Sequence, residues 1–465
     1  MKHTKIVATV SDRHCEVEFI KQLSDAGVDV VRMNSAHLTR EGMERIVRNA
    51  RQADPRLAVM VDTKGPEIRT TAIDGADYIN FESGDRIEIT GNPGELTVPG
   101  HICLNYADIA HALSVGDRLL IDDGELAFKI ESIEGDVMHA VAENSGRLGS
   151  RKSVNVPGTH IPLPAVTERD REYIHYAADL GVDFVAHSFV RSAADVLAIQ
   201  KIINAVGADM RIISKIENQE GVDNFDSILA ASYGIMVARG DLGIEVPAET
   251  IPRIQLNMIN KCMAAHKPVI VATQMLHSMI EHPRPTRAEI SDVANAVYQR
   301  ADALMLSGET ASGKYPIEAV TTMARVAVEV ERELTVRRHV PPMSDTDVAS
   351  FLARQAVSSE VAVGTKAIIT DAYQGRTARH ISSYRGLQPV HAICFNPSVA
   401  RWLALSYGVV PFLPEGYENL SRSEGLERFK ESGRISKEAL VAYLSGTNAG
   451  TKSLEIATLY SLRQQ

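Results

Sequence analysis

The chain has 465 residues, 45% of them hydrophobic, which is too long for one ordinary core and supplies apolar material for roughly two to four domains. A net charge of −10 argues against nucleic acid or an anionic membrane surface as the main partner, while a small anion could still bind locally. No apolar run approaches ~18 residues and the first ten residues hold no long apolar segment, so neither a membrane span nor secretion is indicated and a cytoplasmic location is expected.

From the N-terminus, 5–10 (KIVATV) reads as a strand and 16–26 as a helix ending at Gly27. The pattern repeats with a strand at 28–33, a helix across 40–52 and a strand at 57–61. From about 70 to 155 the texture changes to short alternating runs between glycine and proline turns (85–90, 118–121, 126–130), which reads as an all-β insert. The α/β alternation resumes with strands at 182–186, 211–216, 234–238, 268–273 and 303–306. About eight βα units, interrupted once after the third, fit a (β/α)8 TIM barrel better than an open sheet, and no GxGxxG follows the first strand. A helix at 317–334 leads to a charged, proline-containing junction, after which strands at 367–370, 391–395 and 439–444 suggest a C-terminal α/β domain. The expected division is a barrel from 1–69 and 156–334, an all-β lid domain at 70–155 and a C-terminal α/β domain at 335–465. The four cysteines, Cys15, Cys103, Cys262 and Cys394, show no CxxC and no Cys/His cluster at zinc spacing, and read as ordinary reduced thiols.

The barrel reading predicts polar groups where strands end, on the face that carries active sites. They gather there: Arg32 and Asn34, Asp62 and Thr63, Ser188, Lys215 and Glu217, Arg239 and Asp241, Thr273 and Gln274, Ser307 and Glu309. Lys215 and Glu217 interrupt an apolar strand, and an unpaired buried charge costs several kcal/mol. Glu217 and Asp241 would suit Mg²⁺, which takes one or two carboxylates plus waters and substrate oxygens, and Lys215 would meet an anionic substrate. A purely structural ion-pair network at the strand ends is the alternative, but such caps need not gather both signs of charge on one face.

The strings DTKGPEIRT (62–70), SKIEN (214–218), MVARGDLGIE (236–245), ATQML (272–276), PRPTRAE (283–289) and LSGETASGKYP (306–316) closely resemble those of the pyruvate kinase family. The resemblance spans roughly 5–70 and 155–331; the insert and the last domain resemble the family in placement and texture more than in motif. It implies transfer of the phosphoryl group of phosphoenolpyruvate to ADP, giving ATP and pyruvate in a homotetramer. It further implies Lys215 at the transferring phosphoryl group, Arg32 on the substrate phosphate, and Glu217 and Asp241 as ligands of Mg²⁺ (or Mn²⁺). Gly240 and its neighbours would offer backbone N–H groups to the substrate carboxylate, and Thr273 would contact substrate. With Ser307 and Glu309, Thr273 would lie where the enolate carbon is protonated. Asn34, Asp62 and Thr63 match ligands of K⁺, and His37, Arg69 and Lys152 match nucleotide-phosphate contacts under a lid hinged near Gly65-Pro66 and Pro157-Gly158. Taken alone, His37 reads first as a polar rim histidine and Lys152 as a solvated lysine, Asp122-Asp123-Gly124 equally as a plain hairpin turn, and 283–289 equally as a rigid helix entry or, as the resemblance implies for Arg287, a subunit-coupling segment.

The chain departs from the family in two places. The usual Asn-Phe-Ser-His is Asn34-Ser35-Ala36-His37, so a serine ligand of K⁺ is replaced by Ala36. Glu67 still implies K⁺ dependence, with a water or a shifted Ser35 in place of the lost hydroxyl. The family's C-terminal phosphate loop reads here as Thr370-Asp371-Ala372-Tyr373-Gln374-Gly375-Arg376-Thr377, with an extra residue and a carboxylate, and the later loop at 445–452 lacks the tryptophan and arginine of sugar-phosphate-regulated members. Two rivals remain: a Mg²⁺-dependent lyase acting through a pyruvate enolate, and a metabolite-sensing homologue with an idle site.

Overall fold

The computed structural model describes residues 2–36, 38–334, 348–446 and 452–462. Eight parallel strands, Lys5–Thr9, Val30–Asn34, Ala58–Asp62, Phe184–His187, Arg211–Ile216, Gly234–Ala238, Val269–Ala272 and Ala303–Leu306, close into a barrel. The last pairs with the first, Ala303 opposite Lys5, and the third pairs directly with the fourth, Met60 opposite Phe184, across the whole insert. These strands are near-continuous apolar runs because both faces are covered. Inward-facing Val7, Val30, Met60, Phe184, Ile213 and Met236 fill the barrel, and the outer helices cover the other face.

Polar side chains start the outer helices. Thr39 accepts the Gly42 N–H ahead of Arg40–Ala53, and Thr167 and Asp170 form a reciprocal cap on Glu168–Asp179. Asp170 also accepts the N–H groups of Lys64 and Gly65 at 2.7 and 3.2 Å, so this helix start pins the exit from the third strand. Gly65 has φ +74°, and a Cβ there would come within 2.7 Å of the Phe189 ring, so both conformation and space require glycine. The 283–289 string does act as a helix entry: Thr286 and Glu289 cap Arg287–Tyr298 reciprocally.

The insert is a seven-stranded sheet plus a two-stranded one, around a core that includes Ile89, Ile102, Leu104, Leu119 and Phe128. Its first strand is Ile68–Arg69, paired with Ser153–Asn155. The sequence places Arg69 with the barrel; the backbone pairing moves the changeover ahead of Ile68, because the turn at 63–67 already leaves the barrel.

The C-terminal region holds a five-stranded sheet in the order Val409–Phe412, Val390–Cys394, Ile368–Ala372, Leu440–Gly446, Lys452–Thr458, parallel except for the last strand. The two outer strands escaped the sequence reading. Pro411 disguises one as a non-strand, although proline is tolerated at an edge; the other carries charged residues and depends on its antiparallel partner. This region docks on the rim where barrel strands begin: Lys5 Nζ donates to Val409 O at 2.8 Å, Arg385 pairs with Asp302 at 2.6 Å and Arg401 with Asp183 at 2.7 Å. The opposite mouth is left open. Among the described residues no helix is long and apolar enough to cross a membrane.

Candidate active site

At the mouth, where strands end, the predicted charges meet. Arg32, from the second strand, grips both carboxylate oxygens of Asp62, with Nε 3.0 Å from Oδ1, and donates through Nη1 to Thr9 Oγ1 at 3.1 Å. Lys215 Nζ lies 2.9 Å from Glu217 Oε1 and 3.3 Å from Asp62 Oδ2, and donates to Ser188 Oγ at 2.9 Å. Glu217 Oε2 accepts the Phe189 N–H at 2.6 Å. Asp62 and Glu217 are each 1% exposed, so these charges interact with little solvent between them.

Burial works against the Lys215 ammonium, but Glu217 and then Asp62 outweigh it and hold the lysine protonated above its ordinary range. Burial likewise opposes the Asp62 carboxylate, which Arg32 and Lys215 keep ionised below the usual range. Asp241 goes the other way: burial, then the adjacent Glu217 charge, push its carboxyl up to about 7, and it hydrogen-bonds to Glu217. Two acids within hydrogen-bond reach of each other at the edge of the cleft could hold a divalent cation in place of the proton between them.

Backbone strain marks the same rim. Phe189, Thr273 and Gln274 adopt φ of +55°, +69° and +54°, a left-handed conformation uncommon outside glycine and frequent at functional sites. Thr273 Oγ1 accepts the Gly240 N–H at 2.7 Å and donates to Ala272 O at 2.6 Å, so the amide expected to face a substrate carboxylate is taken by Thr273 here. The Glu309 carboxylate is buried and accepts the N–H groups of Leu276 at 3.1 Å and Ser307 at 2.8 Å. It braces two strand ends instead of facing the opening.

Asn34, Asp62 and Thr63 sit together at adjoining strand ends. Asn34 Oδ1 accepts the Ala36 N–H at 3.1 Å, Thr63 Oγ1 accepts the Ser188 N–H at 3.0 Å, and the Ser35 N–H reaches Asp62 O at 3.3 Å. Ser35 is 1% exposed and its hydroxyl has no hydrogen-bond partner among the described residues.

Between mouth and insert opens a cleft of about 580 Å³ whose lining includes Arg69, Lys152, Asp123, Phe189, Asp241 and Glu245. On the insert side the cations are already engaged, Arg69 with Glu67 and Lys152 with Asp122 at 2.8 Å. Asn155 Nδ2 donates to Glu245 Oε1 at 3.0 Å and ties the insert to the barrel across the cleft. His37 lies outside the described residues. Thr9, Phe189 and the Asn155–Glu245 tie were not picked out by sequence. Thr9 carries the same signal as its neighbours, a polar residue ending a barrel strand, whereas Phe189 acts through a backbone amide that side-chain identity does not announce.

Sequence profiles agree with this geometry: "Pyruvate kinase, barrel domain" matches residues 1–320 and "Pyruvate kinase, alpha/beta domain" residues 350–457. The chain is 43% identical to the pyruvate kinase of Borreliella burgdorferi, over 98% of each. It belongs to the pyruvate kinase family. Pyruvate kinase 1 of Saccharomyces cerevisiae is 38% identical over 99% of this chain and 97% of its own. A crystal structure of a pyruvate kinase from Cryptosporidium parvum superposes with a TM-score of 0.92 at 37% identity, covering 98% of this chain and 96% of that one. The pyruvate kinase reaction, phosphoryl transfer from phosphoenolpyruvate to ADP giving ATP and pyruvate, is the activity of this enzyme. The family generally uses Mg²⁺ and K⁺.

In the C-terminal sheet, Asp371 is buried and its carboxylate accepts the Tyr443 hydroxyl at 2.8 Å, with Arg422 Nε 3.5 Å away. The carboxylate is therefore held within the strand Ile368–Ala372, ahead of the turn that leads to Arg376. The later loop, 447–451, lies outside the described residues.

Proposed function

We propose that the residues at the barrel mouth carry out this reaction in the following roles. Arg32, oriented by Asp62 and Thr9, binds the phosphate of phosphoenolpyruvate through its planar fork. Lys215 stays protonated between Glu217 and Asp62 and stabilises charge on a metaphosphate-like transition state. Glu217 and Asp241 hold Mg²⁺ or Mn²⁺, which when bound neutralises charge on the phosphoryl and enolate oxygens. Thr273, its hydroxyl held by Gly240 and Ala272, contacts substrate and with Ser307 lines the side from which the enolate carbon receives its proton. Glu309 is a positioning residue, since both its oxygens are spent on backbone amides of the rim.

Asn34, Asp62 and Thr63 hold K⁺, with the Ser35 hydroxyl or a water standing in for the ligand lost at Ala36. Arg69, Lys152 and His37 take the nucleotide phosphates, the first two exchanging Glu67 and Asp122 for ADP as the insert (70–155, with the strand at 68–69) closes and water leaves. A homotetramer in the cytoplasm, with the third unit at 335–465, completes the reading. The observation that carries it is Lys215 Nζ lying 2.9 Å from Glu217 while Asp241 hydrogen-bonds the same carboxyl group. A coupled assay omitting Mg²⁺ or K⁺ in turn tests it. Turnover should vanish without the divalent ion and drop sharply without K⁺; a full rate with only a bulky organic cation present rejects the K⁺ assignment.

A further inference from the structure

The strand His101–Leu104 lies at one edge of the insert's seven-stranded sheet. Side chains alternate along a strand, and Ile102 and Leu104 enter the insert's hydrophobic core, so His101 and Cys103 share the other face. Cys103 is nonetheless fully buried. The arm that precedes the strand covers it. Val98 and His101 exchange backbone hydrogen bonds of 2.9 and 3.0 Å, turning the chain back on itself, and the Thr97 hydroxyl accepts the Cys103 N–H at 3.1 Å. The turn brings Glu95 over the thiol. Glu95 Oε2 and His101 Nδ1 each lie 4.0 Å from Cys103 Sγ, and donor atoms from the three residues all fall within 4.8 Å of one another.

A thiol, an imidazole and a carboxyl converging in this way are the donor set of a borderline-soft cation, unlike the all-oxygen set at the barrel mouth. Tetrahedral Zn²⁺, with bonds of about 2.3 Å to sulfur and 2.0–2.2 Å to nitrogen and oxygen, places its ligand atoms roughly 3.3–3.7 Å apart. The contacts to sulfur need to shorten by about half an ångström, and the widest separation, up to 4.8 Å, by about 1–1.5 Å, which side-chain rotation on the exposed Glu95 arm can supply. Both ring nitrogens of His101 lie near the thiol, Nε2 at 3.8 Å and Nδ1 at 4.0 Å, and Nε2 is also 2.8 Å from Thr90 Oγ1 on the neighbouring strand Arg86–Gly91, so Nδ1 is the nitrogen with no hydroxyl partner to displace. Hydrogen bonding of the distal ring nitrogen is the usual support for a ligating histidine.

We propose that Glu95, His101 and Cys103 form a Zn²⁺ site in the insert, distinct from the Mg²⁺ pair at the barrel mouth. On binding, the Cys103 S–H bond breaks, Sγ bonds the metal and the proton leaves to solvent; no oxidant or reductant is needed. The ion would cross-link the arm at 92–98 to the edge strand, beside Thr71, whose N–H donates to Cys103 O at 2.8 Å two residues beyond Arg69.

The test uses the full-length reduced protein with Mg²⁺ saturating the barrel mouth, and Co²⁺ as the probe. One equivalent of Co²⁺ should give a thiolate-to-metal charge-transfer absorption, which oxygen ligands at the mouth do not produce, and Zn²⁺ but not excess Mg²⁺ should displace it. Cys103→Ser should abolish the band, and Thr90→Val, which keeps all three ligands, should weaken Co²⁺ binding about 10–100-fold. Melting curves and turnover in Mg²⁺ establish that each variant is folded. If Cys103→Ser does not fold, Glu95→Gln on the exposed arm replaces it, with Zn²⁺ affinity expected to fall at least tenfold. Absence of the band at one equivalent, its survival in Cys103→Ser, its displacement by Mg²⁺, or unchanged Zn²⁺ affinity in Glu95→Gln each overturns the proposal.

Discussion

The two walls of the central cleft handle charge differently. On the barrel wall, Arg32, Asp62, Lys215 and Glu217 are buried on strand ends and locked into one network, so their positions are set before substrate arrives. On the insert wall, Arg69 and Lys152 are each more than a third exposed, Arg69 pairing with Glu67 of the connecting turn and Lys152 with Asp122 of the insert. Exposed pairs of this kind contribute at most about 1 kcal/mol, so either cation can be released to an anionic ligand at little cost. On the proposed assignment, the barrel wall is preorganised for chemistry and the insert wall is held in reserve for a ligand that comes and goes.

The largest test of this contrast is Lys215→Met. Removing the ammonium from the low-dielectric site should lower kcat by about 10²–10³-fold or more while Mg²⁺ binding stays nearly intact. A kcat within a few-fold of the parent enzyme breaks the comparison. Next is Glu217→Gln, which removes one of the two acids and should weaken Mg²⁺ by at least about 10–100-fold, the loss seen even when only a supporting group of a metal ligand is removed; calorimetric titration reads it. On the insert wall the effect should be smaller and of another kind. Arg69→Ala should raise KM for ADP about tenfold, the value of one charge-assisted hydrogen bond, with KM for phosphoenolpyruvate unchanged. Equal changes in both constants would erase the distinction between the walls.

A control lies outside both. Glu360, on Val348–Ala362, is 9% exposed, and burial pushes its carboxyl from its ordinary 4.5 up to about 7, although the Leu387 N–H donates to it at 2.7 Å. The folded chain therefore holds a proton that the unfolded chain gives up, and this group costs stability progressively as pH rises from 4.5 to about 7. Glu360→Gln should stabilise the protein by about 1–3 kcal/mol at pH 8 and hardly at all at pH 4.5, with turnover unaffected. Melting shifts of equal size at the two pH values would show that charge is not the cause.

Much of the candidate site, as a gathering of charges, could be read from sequence because barrel strands are local signals. A buried parallel strand is an apolar run, so Lys215 and Glu217 stand out as interruptions, and a strand end identifies Arg32, Asp62 and Asp241 without a partner being named. Glu309 was legible only in part: its position was found, but its use on two backbone amides depends on how the seventh and eighth strands end beside each other.

What the sequence by itself determined is the eightfold alternation, the β-rich interruption and the set of charges at strand ends, because hydrophobic period and turn chemistry act within a few residues of one another. Only the tertiary structure decided which charges face which: that Asp241 rests on Glu217, that Arg69 is held by Glu67, and that Glu95 folds over His101 and Cys103, which by sequence were ordinary residues with no zinc spacing. Side-chain partners separated along the chain are chosen by packing and backbone register, and those are settled only when the whole fold closes.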